Sequence, residues 1–221
     1  DAGGRTAGRH TAFVMLRDGR ILGMGGKSTD IEGFMPKTYS SDGGRTWSKG
    51  EKTEFAALGG NQRPVILRLK SGRLFFASDF QYSLAQRQLI AKPGQTGAWG
   101  EKETAPAAVK QRGSFVALSD DEGATWHIKK VDLALPHESR TIPKIKRAGN
   151  PSDHDHGTLG YTAAAQAPNG VIHLMTSMNH PSMHFEMNEA WILSDEKGEA
   201  NQQWAGANSP VKKHSLKYAN G

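Results

Sequence analysis

Arginine, histidine, tyrosine and carboxylate side chains fall in a few short stretches of this 221-residue sequence, and their types suit an anionic, hydroxyl-rich ligand. Arg9 and Arg63 each carry a planar guanidinium that can grip a carboxylate through two parallel hydrogen bonds. His10 and Gln62 are their chain neighbours and add further hydrogen-bonding groups. Asp30 and Glu32, in T-D-I-E-G, are carboxyls that a water-poor pocket would turn into general acids; the plainer alternative is a loop turn. His180 and His184 enclose H-P-S-M-H and can exchange protons or touch a ligand. His154-Asp155-His156 sets two imidazoles on one side of an extended segment, with His156 a candidate for hydrogen bonding to sugar. That spacing can also bind a metal, but no third ligand is identifiable, so neither a metal nor a cofactor is expected. Tyr161 opens an apolar strand and faces either a ligand or the core.

The elements that must position these groups are legible as repeats. Residues 40–47 (SSDGGRTW) and 119–126 (SDDEGATW) both fit S-x-D-x-G-x-T-W. The first supplies Ser40, Asp42, Gly44 and Trp47; the second supplies Ser119, Asp121, Gly123 and Trp126. A degraded third copy, Ser194, Glu196, Gly198 and a displaced Trp204, begins at residue 194, so the pattern recurs every 75–79 residues. Its chemistry is that of a tight turn. Ser and Asp oxygens accept backbone N–H groups, Gly takes a positive φ, and Trp packs on the layer between sheets. A ligand role for these Asp residues is the weaker reading.

Upstream of each copy, two apolar strands flank a turn signal: Asp18-Gly19, Ser71-Gly72 and Asn169-Gly170, each read as a two-residue hairpin turn. A third strand leads into each box (35–40, 114–119 and 188–194) and a fourth follows it (51–55, 127–133 and 210–217). The unit is a four-stranded antiparallel meander repeated three times, without a substantial helix. The expected fold is all-β, a β-propeller with blades over about 9–56, 61–134 and 158–218. A β-sandwich is the runner-up, and it does not explain a box at the same place in every unit. Long connections are expected at 80–113 and 134–158. Alternation puts the first-to-second-strand turns and the boxes on one face, and the other loops on the opposite face. That second face collects Arg9, His10, Gln62, Arg63, His156 and Tyr161 near the axis, and Asp30, Glu32, Asp79, His180 and His184 around them.

Composition narrows the function. With no Cys there is no disulfide, thiolate metal site or Cys nucleophile. No apolar stretch is long enough for a transmembrane helix, and no signal peptide is visible in this chain. The net charge of +6 favours polyanions, with a plain basic surface as the leading reading and a charge-selective site as the alternative. No nucleic-acid-binding module is present, so nucleic acid is not an expected partner.

The boxes are the signature of the sialidase (neuraminidase) superfamily, whose Asp-box or BNR repeats this sequence resembles. The stretch RHTAFVMLRDGRILGMGG, followed by KSTDIEGFMPKTYSSDGGRTW, is similar to the opening blade of bacterial sialidases, with His10 and Thr11 replacing the Ile-Pro of their R-I-P strand. GGNQRPVILRL and GYTAAAQAPNGVIHLMTS also look like a less characterised group of bacterial sialidase-like propellers. The resemblance implies a carboxylate-binding role for Arg9 and an acid/base role for Asp30, with Glu32 as its substitute. It also implies an acidic glycan as partner and a secreted or periplasmic location. The family's Tyr nucleophile, its Glu partner and two further Arg residues are carried by no convincing motif here.

Three function classes follow: a sialidase-type glycoside hydrolase, a polysaccharide lyase or other glycosidase acting on acidic polysaccharide, and a non-catalytic propeller that binds glycan or protein. Three units fall short of the about 4–8 blades of closed propellers. The expectation is a six-bladed ring, completed by further blades or by a second copy in a homo-oligomer.

Overall fold

The computed structural model describes residues 6–8, 10–25, 31, 34–57, 63–79, 114–131, 159–177, 183–194 and 212–215. Among them are three antiparallel sheets of four strands, each in simple meander order. The first comprises β1 (Ala12–Met15), β2 (Ile21–Met24), β3 (Phe34–Ser40) and β4 (Glu51–Ala56). The second comprises β5 (Val65–Arg68), β6 (Leu74–Asp79), β7 (Ser114–Ser119) and β8 (His127–Val131). The third comprises β9 (Tyr161–Gln166), β10 (Ile172–Ser177), β11 (Met183–Met187) and β12 (Lys212–Ser215), with a short helix α1 (Glu189–Leu193) before β12.

The sheets are blades of a β-propeller. Their first strands, β1, β5 and β9, adjoin one another, and Arg63 and Tyr161 form a parallel bridge between the second and third. The blades stack face to face through two apolar layers. Leu22, Met24, Met35 and Phe55 of blade one meet Leu74, Phe76, Phe115 and Ala117 of blade two. On the other side of blade two, Phe75, Val116 and Leu118 meet Ile172, Leu174, Phe185 and Met187 of blade three. The apolar runs of β6 and β7 are therefore buried on both faces. The equally apolar β1 has one face in solvent, with Phe13 and Met15 47% and 56% exposed.

The three hairpin turns are alike and one residue longer than the two-residue turns expected. Leu16, Leu69 and Ala167 each accept an N–H from the glycine three residues on, and each donates to the carbonyl of the residue after that glycine. Gly19, Gly72 and Gly170 carry φ of 85–91°, the left-handed third residue of a three-residue loop. Asp18 Oδ1, Ser71 Oγ and Asn169 Oδ1 each accept the N–H two residues ahead, which explains why these residue types precede the glycines.

Both complete boxes close the same bonds. The Ser40 hydroxyl donates to Asp42 and accepts the Gly44 N–H; Ser119 does the same with Asp121 and Gly123. Each Asp then accepts the N–H and hydroxyl of Thr46 or Thr125. The Thr46 side chain, the Thr46 N–H and Ser40 hold the Asp42 carboxyl well below its usual range. Trp126 packs edge-on against Phe55 and tilted against Phe76, both at 5.7 Å, and so lies between blades one and two.

Blade three departs from the expected pattern. Its third strand is Met183–Met187, not 188–194. Asn188 caps α1 by accepting the Trp191 N–H, and Trp191 and Ile192 plug the layer against blade two. The Ser194 hydroxyl donates to the Trp191 carbonyl and accepts from the buried Lys129 ammonium of β8. Glu196, Gly198 and Trp204 lie outside the described residues, as do the long connections read at 80–113 and 134–158.

Candidate functional site

The turns and boxes share one face, and on that face the charges join blades. Glu122 of the second box is gripped by Arg68 through two contacts of 2.8 and 2.6 Å and accepts the Arg17 backbone N–H from the first turn. Arg68 holds the Glu122 carboxyl below its usual range. Arg73 pairs with Asp120 of its own blade and with Glu189 of blade three. Every charge in this network is matched within the protein, so it reads as an inter-blade seam rather than a ligand site.

On the opposite face, the starts of the inner strands bring three of the expected binding residues together. The Arg63 guanidinium lies over the Tyr161 ring, 4.8 Å from its centroid. The His10 ring meets the same tyrosine edge-on at 5.4 Å. The three residues come from blades two, three and one, so the cluster is made by the propeller and by no single blade. Backbone bonds set it: Arg63 N–H donates to the Gly160 carbonyl at 2.9 Å, and the Thr162 N–H and hydroxyl return to the Arg63 carbonyl at 3.1 and 2.7 Å. His10 has φ of 63°, a left-handed backbone that non-glycine residues seldom adopt and that concentrates at functional sites. Tyr161 is half-buried and Arg63 is exposed, so the cluster presents a cation to solvent beside a part-exposed tyrosine.

Asp79 supports this cluster from beneath. The sequence reading placed it among loop residues; it is the last residue of β6 and is only 1% exposed. Its carboxylate accepts from the Ser114 hydroxyl at 2.6 Å, the Leu159 N–H at 2.8 Å and the Gly160 N–H at 3.2 Å. Burial pushes its pKa up to about 6, against the lowering effect of those three donors. Gly160 is thus held by Asp79 through its N–H and by Arg63 through its carbonyl. An acid ending an otherwise apolar strand, LFFASD, is the signal that marks it in the sequence.

His184 lies away from this cluster, on β11. There it faces His173 of β10, with His173 Nδ1 and His184 Nε2 3.0 Å apart. Glu186 Oε1 lies 3.7 Å from the same His173 nitrogen. One strand, β10, separates β11 from β9, a distance of about 10 Å. Asp30 and Glu32 flank Ile31, whose N–H and carbonyl both pair with Phe34 at the head of β3. Asp30, Glu32, Arg9, Gln62, His156 and His180 lie outside the described residues. Phe185 and Trp191 are packed in the inter-blade layer. Among the described residues no helix is long and apolar enough to cross a membrane.

No family model and no curated protein matches the chain. Among solved structures it is similar to a protein of unknown function from Dyadobacter fermentans, at 12% identity and a TM-score of 0.42, covering 95% of this chain and 42% of that one. It is also similar to a Penicillium chrysogenum alpha-L-arabinanase complexed with arabinobiose, at 13% identity and a TM-score of 0.38, covering 80% and 40%. A third is a GH43 beta-1,3-galactosidase with galactodeoxynojirimycin, at 12% identity and a TM-score of 0.43, covering 84% and 59%. The chain thus spans 40–59% of the length of these structures. TM-scores of this size decide neither fold nor activity, and the fold rests on the blade geometry above.

Proposed function

We propose that this chain is a carbohydrate-active propeller domain that binds an acidic sugar at the Arg63–Tyr161–His10 cluster and belongs to a glycoside hydrolase of sialidase type. The observation that carries the reading is the convergence of a guanidinium, a tyrosine ring and a histidine from three blades at the starts of their first strands. A guanidinium can clamp a carboxylate bidentately. A tyrosine face stacks on a sugar ring while its hydroxyl hydrogen-bonds. Arg9, one residue before His10, is the second proposed carboxylate ligand; Gln62 and His156 are the proposed sugar contacts. Asp30 is the proposed acid/base, with Glu32 and His180 as alternatives. The boxes are proposed to act in folding only. A secreted or periplasmic location and a homo-oligomer that completes the ring belong to the same proposal.

The edge-on contact of His10 with Tyr161 favours a second reading. An imidazole beside a phenol is a proton-transfer pair, which suits a lyase acting on a uronate. Two assays separate the readings. Release of fluorophore from a sialoside is expected for the first, and growth of unsaturated-uronate absorbance on acidic polysaccharide for the second. Binding of acidic glycans with neither activity, abolished by Arg63→Ala, leaves a binding module. Absence of binding by the folded protein overturns the acidic-sugar assignment.

A further inference from the structure

The two central strands of blade three carry a group of side chains that the sugar site does not use. His173 stands directly opposite Glu186 across the β10–β11 pair, and His184 stands opposite Met175. Residues two apart on a strand share a face, so His173, Met175, His184 and Glu186 all project from the side of the blade turned away from blade two. The buried neighbours Ile172, Leu174, Phe185 and Met187 point the other way into the core. The two imidazole rings stack at 5.2 Å with 20° between their planes.

Three ligand-type atoms converge here: His173 Nδ1, His184 Nε2 and a Glu186 carboxylate oxygen, all within 4.8 Å of one another. Bonds of about 2.0–2.1 Å at a tetrahedral metal put two donor atoms about 3.4 Å apart. The observed 3.0 Å between the two nitrogens and 3.7 Å from His173 to Glu186 fall on either side of that value. All three side chains are half-buried and stand on paired strands, so ordering them for a ligand costs little.

We propose that His173, His184 and Glu186 bind a divalent transition metal of the zinc type. Two imidazoles with one carboxylate suit zinc, cobalt, nickel or copper; calcium and magnesium prefer all-oxygen shells. Without metal, the 3.0 Å contact is a hydrogen bond in which one imidazole donates and the other accepts. On metal binding the donating imidazole carries its proton on its other ring nitrogen, and the metal lies between the two facing nitrogens. Three protein ligands leave a fourth position open to water or to an anionic ligand. The site also ties together β10 and β11, the two central strands of the blade. Register on the next strand sets His214 opposite His184 and Lys212 opposite Glu186.

The test uses the EDTA-treated chain and zinc chloride alone, because the sequence holds nine histidines and the site must be located as well as detected. Calorimetry is expected to show one tight zinc per chain, weakened at least about tenfold by His173→Ala, by His184→Ala and by Glu186→Gln. Unchanged affinity in variants whose circular dichroism is native overturns the site. Carbethoxylation of the unaltered protein by diethyl pyrocarbonate, mapped by mass spectrometry, needs no variant. One equivalent of zinc is expected to protect His173 and His184, and equal labelling with and without zinc overturns the proposal. His214→Ala reads whether that position adds a further ligand: a weakening comparable to His184→Ala assigns one, and no change leaves a three-residue site.

Discussion

The Arg63 guanidinium is stacked on the Tyr161 ring at 4.8 Å, and the backbones of the same two residues form a parallel bridge between neighbouring blades. Side chain and scaffold are thus fixed by one junction. If this pair holds an acidic sugar, Arg63→Ala will weaken binding about 10- to 100-fold, the worth of a charge-assisted hydrogen bond. Arg63→Lys keeps the charge, loses the fork and will weaken it about tenfold. Titration of an acidic oligosaccharide at low and high salt checks both. Equal affinity in all three proteins would place the sugar elsewhere.

Asp79 sets a pH dependence of known sign. Its carboxyl is raised to about 6 from an ordinary 3.8, so between about pH 4 and 6 the folded chain holds a proton that the unfolded chain releases. Stability then falls as pH rises through that window. Asp79→Asn will lack this component. Denaturation midpoints of the two proteins measured from pH 4 to 7 will diverge, by on the order of 2–3 kcal/mol in free energy. Parallel profiles would show that Asp79 titrates as it does in the unfolded chain.

Two glycines with nearly the same backbone will respond differently to alanine. Gly19 (φ 85°) faces open space, whereas a Cβ at Gly123 (φ 84°) would sit 3.0 Å from Leu22 and 3.3 Å from Trp126. Gly19→Ala will cost about 1 kcal/mol for the left-handed conformation. Gly123→Ala adds a clash across the interface of blades one and two and will cost about 1–3 kcal/mol more. Urea denaturation of the two variants reads the difference.

Ser119 is buried, and its hydroxyl accepts the buried Gly123 N–H. Ser119→Ala orphans that donor and will cost about 1–3 kcal/mol of stability. Sugar binding by the folded variant will be unchanged, because the boxes and the Arg63 cluster are on opposite faces. A selective loss of binding would give the boxes a direct part in the site.

What the sequence made legible was local. Asp42 with Thr46, and Asp121 with Thr125, bond within four residues, so spacing alone identifies the turns. The turns then set strand direction, and strand direction put Arg63, Tyr161 and His10 on one face. The rest depended on partners distant in sequence. Ser194 is bound by Lys129, 65 residues away, a partner that spacing does not reveal. His184 lies beside His173 only through the β10–β11 register, with polar residues at alternate positions of two apolar strands as the faint signal. Asp79 looks like a loop acid because the donors that bury it, Leu159 and Gly160, are about 80 residues on.

Among the described blades, blade two alone has its central strands covered on both sides. Opening blade one or blade three breaks one apolar layer, whereas freeing blade two breaks both. Among these three blades, a unit held by one layer opens more readily than the unit held by two. Amide protons of β6 and β7 will therefore be the last to exchange with solvent. The β1–β2 hairpin will exchange earlier, through partial openings that leave the central blade intact. Asp79 and Arg63 belong to that slow-exchanging blade, while Tyr161 and His10 are contributed by faster-opening neighbours. The cluster is then assembled on a persistent half and a transient half, and a ligand that bridges them will slow exchange most in blades one and three.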